Sequence, residues 1–219
     1  MEDRIRYPEI DEYLRQVIKR EDGFLKELEE YARLNYVPIV TPESAALLKV
    51  LVTMHRPSRI LEAGTAIGYS SIIMANAYKK SVIDTIEIDE NMAQMARKNI
   101  AVLGLKERIR VLTGDALEIM KCLITPYDMI FLDAAKGQYI EYFEEAFRLL
   151  KPGGLLVSDN VLYKGLVAMK DPVPHKHRTI TVKLREYLST ICHDPRLETS
   201  IIPIGDGMAV SVKKGEFNE

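Results

Sequence analysis

Residues 60–71 read ILEAGTAIGYSS. A short apolar run closes on Glu62, Ala63 and Gly64, and Gly68 then opens GYSSIIMANAY (68–78), which has helical spacing. Strand, glycine turn and helix in that order form the unit of a parallel sheet, whose strands need crossover helices. The unit repeats downstream. SVIDTIEID (81–89) reads as a strand, and ENMAQMARKNIAVLG (90–104) as a helix stopped by Gly104. RIRVLTGD (108–115) is a strand, followed by ALEIMKCL (116–123), a short helix. YDMIFLD (127–133) is a strand, QYIEYFEEAFRLL (138–150) a helix, KPGG (151–154) a turn and GLLVSDN (154–160) a strand. An α/β fold follows, with helices on both faces of a mostly parallel sheet. Its strands end in Glu, Asp or Gly, so polar groups gather at the carboxyl edge, where open sheets bind ligands.

The two ends differ from this core. Residues 1–57 carry three helical segments (8–20, 22–35, 42–54) and read as a helical cap on a single domain whose core spans 58–219. Thr41-Pro42 is a good helix start. Tyr7, Tyr13, Tyr31 and Tyr36 in this cap read as packing residues. Residues 178–192 read as a helix, and ETSIIPIGDGMAVSVKK places two apolar runs around Gly205-Asp206-Gly207, a hairpin signal. The sheet is therefore expected to finish antiparallel.

The 219 residues carry 47% apolar side chains, enough for a real core, and a net charge of −2. Any nucleic-acid surface must then be a local patch. Cys122 and Cys192 form no CxxC pair and read as buried thiols of a reducing compartment. The N-terminus, MEDRIRYPEIDEYL, is too charged for a secretory signal, and no apolar run reaches the roughly 18 residues of a membrane span. A soluble cytoplasmic protein with no membrane partner is the expectation.

The loop after the first strand does not spell GxGxxG: counted from Gly64, Ala occupies the second glycine position and Tyr69 the third. Its E-x-G-x-x-x-G-Y-S pattern instead resembles the first motif of S-adenosylmethionine (SAM) methyltransferases. Glu87 ends the second strand, where a carboxylate accepts both hydroxyls of a ribose. Gly114-Asp115-Ala116 ends the third, where Asp115 either accepts the adenine amino group or caps the following helix. Asp133 closes the fourth strand and Asp159-Asn160 the fifth. Two carboxylates and an amide oxygen form a hard donor set that suits Mg²⁺. The bland alternatives are a helix cap at Asp133 and an Asx turn at Asp159-Asn160. Lys136, three residues past Asp133, is near enough to share the site.

Taken together, LEAGTAIGYSS, TIEID, GDALE, YDMIFLDAAKGQY, SDNVLYKGLV and IIPIGDGMAVS make the chain similar to the metal-dependent, catechol O-methyltransferase-like family of SAM enzymes, from about Ile60 to Lys214. The resemblance implies a class I SAM methyltransferase, Rossmann-like, with seven strands, the last antiparallel, and a homodimer that the N-terminal helices help to pack or whose active site they cover. It implies Asp133, Asp159 and Asn160 as Mg²⁺ ligands, with Asp133 also among the catalytic and cofactor-contacting residues. Lys136 matches the catalytic base, a role for which it must lose its proton before transfer. For SAM it implies Glu87 at the ribose, Glu62, Gly64 and Ser70 as further contacts, Gly114, Asp115 and Ala116 at the adenine, and Val40 and Thr41 over the carboxylate. This chain departs from the animal catechol enzymes at Ala209, where they carry an acidic clamp, and in having no Trp; Ala134 and Ala135 are small.

GTAIGYS, DAAKGQY, KGLVA and GDG further resemble the bacterial tRNA 5-hydroxyuridine methyltransferases, which implies the wobble uridine of the tRNA anticodon loop as substrate and 5-methoxyuridine as product. O4 and O5 of that base form a vicinal pair, as a catechol does. Between Lys164 and Arg185 stand six cations (Lys164, Lys170, Lys176, Arg178, Lys183, Arg185) against one acid, Asp171. Lys164, Lys176 and Arg178 are candidate phosphate contacts, with His177 to stack or to bind phosphate, unless the run is only a solvated face. A small catechol or hydroxycinnamoyl-type phenol is the alternative substrate.

Overall fold

The computed structural model describes Ile5 and residues 7–170 and 173–215; Asp171 of the basic stretch lies outside the described residues. Three helices lead, α1 (Pro8–Val17), α2 (Gly23–Asn35) and α3 (Pro42–His55). The alternating core follows as β1 (Arg59–Ala63), α4 (Tyr69–Ala77), β2 (Val82–Glu87), α5 (Glu90–Val102), β3 (Ile109–Thr113), α6 (Ala116–Cys122), β4 (Tyr127–Leu132), α7 (Tyr139–Leu149) and β5 (Leu150–Ser158). Then come α8 (His175–His193) and the hairpin β6 (Leu197–Ile202) and β7 (Met208–Lys213).

The seven strands lie in the order β3-β2-β1-β4-β5-β7-β6, and β7 runs antiparallel to both its neighbours. The chain winds outward from β1 to β3 and then returns to β4 beside β1. That reversal is the topological switch point, and a crevice opens outside the carboxyl ends of the two strands there.

Side-chain alternation along each strand divides the core in two. Ile60, Met129, Phe131, Leu155 and Val157 pack with Leu48, Val52, Ile72, Ile73 and Ala96 on one face. Leu61, Ile130, Leu132 and Leu156 pack with Met120, Tyr139, Phe143, Leu184 and Tyr187 on the other. Strands apolar on both faces are what a parallel sheet clad in helices requires. The first of these clusters also takes in Leu28 and Ala32 of α2, so the N-terminal cap shares the core.

Four expectations need correcting. KPGG is not a free turn: β5 already starts at Leu150, which pairs with Tyr127, and the next paired residue, Leu155, faces Met129. The extra residues bulge out of the ladder, with Gly153 at φ +75°. The helix expected from 178 begins at His175. Both cysteines are exposed, because each sits beside a buried helical stripe and not within it; in α8 the stripe is Leu184, Tyr187, Leu188 and Ile191. Tyr7, Tyr13, Tyr31 and Tyr36 are exposed as well; α1 buries none of its residues. Among the described residues no helix is long and apolar enough to cross a membrane.

Candidate active site

A cleft of about 340 Å³ lies at the carboxyl edge, and Gly64, Glu87, Gly114, Asp115, Ala116, Asp133, Lys136, Asp159 and Asn160 all line it. Gly64 makes the approach of β1 and β4 possible. It has φ +104°, and a Cβ placed on it would stand 2.1 Å from the carbonyl oxygen of Asp133. Only glycine fits a left-handed residue pressed against a neighbouring backbone. Glu87 is pinned at the rim: its Oε2 accepts the Ala66 N–H at 2.7 Å and its Oε1 the Asp89 N–H at 2.9 Å. Each oxygen keeps a lone pair free for a ligand hydroxyl. Asp115 caps α6 through the Glu118 N–H at 3.1 Å and also lines the cleft.

Asp133 and Asp159 bring two carboxylates to adjacent strand ends. The Asp159 side chain is buried and accepts the Asn160 N–H at 2.8 Å; Asn160 itself is left-handed, φ +56°. No hydrogen bond to the Asp133 carboxylate forms among the described residues. Burial lifts Asp133 far above the usual carboxylate range; the charge of Asp159 adds to this and Lys136 opposes it. Burial lifts Asp159 as well, against the Asn160 N–H and Lys136, with Asp206 adding a further upward push. Lys136 opens a short 3-10 turn, Lys136–Gln138, directly beyond the β4 end. Among the described residues no three His, Cys, Asp or Glu side chains cluster as a metal site, so the candidate donors are these two carboxylates and the Asn160 amide. They fit a hard divalent cation: the pair is short of positive charge, and its donors are oxygens.

Four residues expected at SAM, Val40, Thr41, Glu62 and Ser70, are not among those that line this cleft. Glu62 is buried beneath the glycine turn and accepts hydrogen bonds from Ser70 at 2.5 Å, from Thr85 at 2.6 Å and from Ser71. Burial raises its carboxyl, and these hydroxyls pull the other way. Glu62 and Ser70 thus lock the first turn of α4 to β1 and β2 instead of lining the cleft. Thr41 caps α3 by accepting the Ser44 N–H at 3.3 Å, and Val40 is buried. Both border an adjoining hollow of about 600 Å³ beside α2 and α3, which shares Pro38 and Ile39 with the cleft.

The basic stretch also divides. Lys164, Lys176 and Arg178 are exposed, outside the cleft lining. His177 is half-buried; its Nδ1 meets the Tyr163 hydroxyl at 2.8 Å and the rings stand edge-on, 5.5 Å apart. Lys183 pairs with Glu141 at 3.3 Å, and Arg185 donates to the carbonyls of Val167 at 2.8 Å and Met169 at 2.6 Å. Those two cations are occupied by the fold. Sequence reasoning missed Pro38, Ile39, Ile88, Gln138 and Tyr142, which also line the cleft. Ile88 offered a signal in that it is an apolar residue directly after Glu87, at a strand end.

The profile of the O-methyltransferase family matches residues 16–214. A catechol O-methyltransferase of Niastella koreensis is 38% identical over 168 residues, 74% of this chain and 76% of that relative. A Staphylococcus aureus crystal structure, provisionally named a caffeoyl-CoA O-methyltransferase, superposes with a TM-score of 0.86 at 36% identity, covering 93% of this chain and 99% of that one. A Bacillus cereus O-methyltransferase solved with S-adenosylhomocysteine gives 0.81 at 29% identity, over 94% of this chain and 97% of the other. Sheet order, glycine turn and family match agree: the chain belongs to the O-methyltransferase family, enzymes that take their methyl group from S-adenosylmethionine.

Proposed function

We propose that this enzyme methylates one of two adjacent oxygens of its substrate beside a Mg²⁺ ion held by Asp133, Asp159 and Asn160, and that the substrate is 5-hydroxyuridine at the tRNA wobble position. The observation that carries the reading is the pair of under-compensated carboxylates at the cleft, Asp133 and Asp159. When bound, the cation favours the ionised form of a substrate hydroxyl and orients it. The chain does the rest. Glu87 holds the ribose hydroxyls of SAM, Asp115 and Ala116 meet the adenine, and Gly64 lets the backbone approach the methionine end. Lys136 Nζ takes the proton of the substrate hydroxyl. That oxygen bonds to the methyl carbon as the S–CH₃ bond breaks, leaving S-adenosylhomocysteine. Ordering donor and acceptor in this way supplies up to about 7–11 kcal/mol of the acceleration. Pro38, Ile39, Ile88 and Tyr142 give the cleft its apolar wall.

The tRNA reading is supported by the quoted strings and by the exposed cations Lys164, Lys170, Lys176 and Arg178, suited to the phosphates of a splayed loop. The Niastella relative favours a second reading, a small catechol. Nucleoside mass spectrometry of tRNA from cells lacking this protein separates the two. Accumulated 5-hydroxyuridine with loss of 5-methoxyuridine supports the tRNA substrate; unchanged 5-methoxyuridine rejects it. With purified enzyme, Lys176→Ala combined with Arg178→Ala is expected to cut tRNA methylation about tenfold or more and to spare a catechol probe.

A further inference from the structure

Tyr139, the first residue of α7, is wholly buried beneath the cleft. Its hydroxyl faces two backbone carbonyls, Asp159 O at 2.9 Å and Leu132 O at 3.2 Å. Leu132 immediately precedes Asp133, so the acceptors belong to the two strand ends that carry the paired carboxylates. Leu132 O also accepts the Asp159 N–H at 2.9 Å, which closes a small ring of bonds between β4 and β5. The phenol ring is fixed edge-on against Tyr187, 5.3 Å away, whose own hydroxyl is bonded to Ser158. Two neighbouring carboxylates repel each other, and nothing in their own side chains resists the strands splaying. The Tyr139 hydroxyl is the group bonded to both strand ends.

We propose that Tyr139 is a positioning residue: its hydroxyl staples the ends of β4 and β5 at the spacing at which Asp133 and Asp159 can share one cation. The inference rests on the reading of that pair as a cation site. It concerns the bond from the hydroxyl, since the ring would pack as well in phenylalanine.

The test compares full-length wild type with Tyr139→Phe and, as control, Tyr127→Phe. Tyr127 is another buried tyrosine, whose hydroxyl donates to Asp84 at 2.8 Å near the opposite end of β4. Two readouts are taken: amide hydrogen exchange at Asp159, and Mn²⁺ affinity by electron paramagnetic resonance. In Tyr139→Phe, exchange at Asp159 is expected to quicken about tenfold and Mn²⁺ binding to weaken about tenfold. Tyr127→Phe is expected to lower the melting temperature and leave both readouts as in wild type. Unchanged exchange and Mn²⁺ affinity in Tyr139→Phe overturn the staple, and so does an equal change in both variants, which would mark a general loss of stability. A wild type that binds no Mn²⁺ overturns the cation reading instead, and the exchange rates alone then decide the staple.

Discussion

The strands of this sheet bury carboxylates toward both ends, and the two ends treat them in opposite ways. Toward the amino ends, Asp84 accepts from Arg110 at 2.8 Å, from Arg59 at 3.2 Å and from the Tyr127 hydroxyl at 2.8 Å. Asp128 beside it takes the Arg59 N–H at 2.8 Å and Lys151 at 2.6 Å. Burial pushes Asp128 upward, but Lys151 and the backbone N–H groups outweigh it and hold the group below its ordinary value. At the carboxyl ends, burial wins for both Asp133 and Asp159, although Lys136 offsets it at both and the Asn160 N–H offsets it at Asp159. A fold that needed only stability would pair both ends. Leaving one end short of positive charge is a standing cost, and such a cost marks a place where a ligand completes the structure.

The largest test of the contrast is to neutralise one carboxylate at each end. Asp133→Asn and Asp159→Asn are each expected to lower methyl transfer about a thousandfold or more, while the metal-free melting temperature holds or rises because a buried like-charge pair is relieved. Asp84→Asn is expected to do the reverse. It should leave turnover near wild type but cost about 2–3 kcal/mol, since two arginines lose their buried counter-charge, a figure discounted for their partial exposure. Urea melts and initial rates measure both, and a loss of activity in Asp84→Asn matching that of Asp133→Asn would erase the distinction.

A pH series sharpens the same contrast. Asp133 and Asp159 are raised above the ordinary carboxylate value of about 4. A raised acid adds stability in full below its unfolded pKa and forfeits it as pH climbs through the raised, folded one. In the chelator-treated protein the melting temperature should therefore fall on going from about pH 4 toward neutrality and above. Each unit of upward shift corresponds to at most about 1.4 kcal/mol. Added Mg²⁺ should flatten the fall, and Asp133→Asn should remove much of it. A slope unaffected by either change would mean that other groups set it.

What the sequence made legible follows from what each signal encodes. The strand–helix rhythm and the hairpin glycines fixed the sheet, because periodicity and turn chemistry are local. The gathering of Gly64, Glu87, Asp115, Asp133 and Asp159 at the carboxyl edge followed from where each strand ends, while the switch point needed the strand order. The internal bonds of Glu62 were not legible: it lies within β1, where its carboxylate meets Ser70, Ser71 and Thr85. A motif string records order along the chain and not the direction a side chain takes. Lys183 and Arg185 looked free because their partners, Glu141 and the carbonyls near 167–169, are tertiary neighbours. The exposure of Cys192 was readable, since it stands one residue past Ile191 and so off the buried stripe of its own helix. Tyr139 gave no such sign, because its two acceptors are backbone atoms brought together by the fold.

Thr41 gives the smallest effect and separates a residue that touches the cofactor from one that merely stands near it. The side chain accepts the Ser44 N–H at the start of α3, and its Oγ1 also lies 3.1 Å from where a Cβ on Gly205 would stand. A helix cap of this kind contributes about 1 kcal/mol, so Thr41→Ala should lower the melting temperature by about 2–4 °C in a chain of this length. If the threonine acts only as a cap, S-adenosylhomocysteine affinity by calorimetry stays within about twofold of wild type. Thr41→Ser, which keeps the accepting oxygen, should restore the stability. A clear loss of cofactor affinity without a loss of stability would instead put Thr41 with the residues of the cleft. It would mean that the loop after α2, whose Pro38 and Ile39 already line the cleft, closes further over the cofactor than its bonds here require.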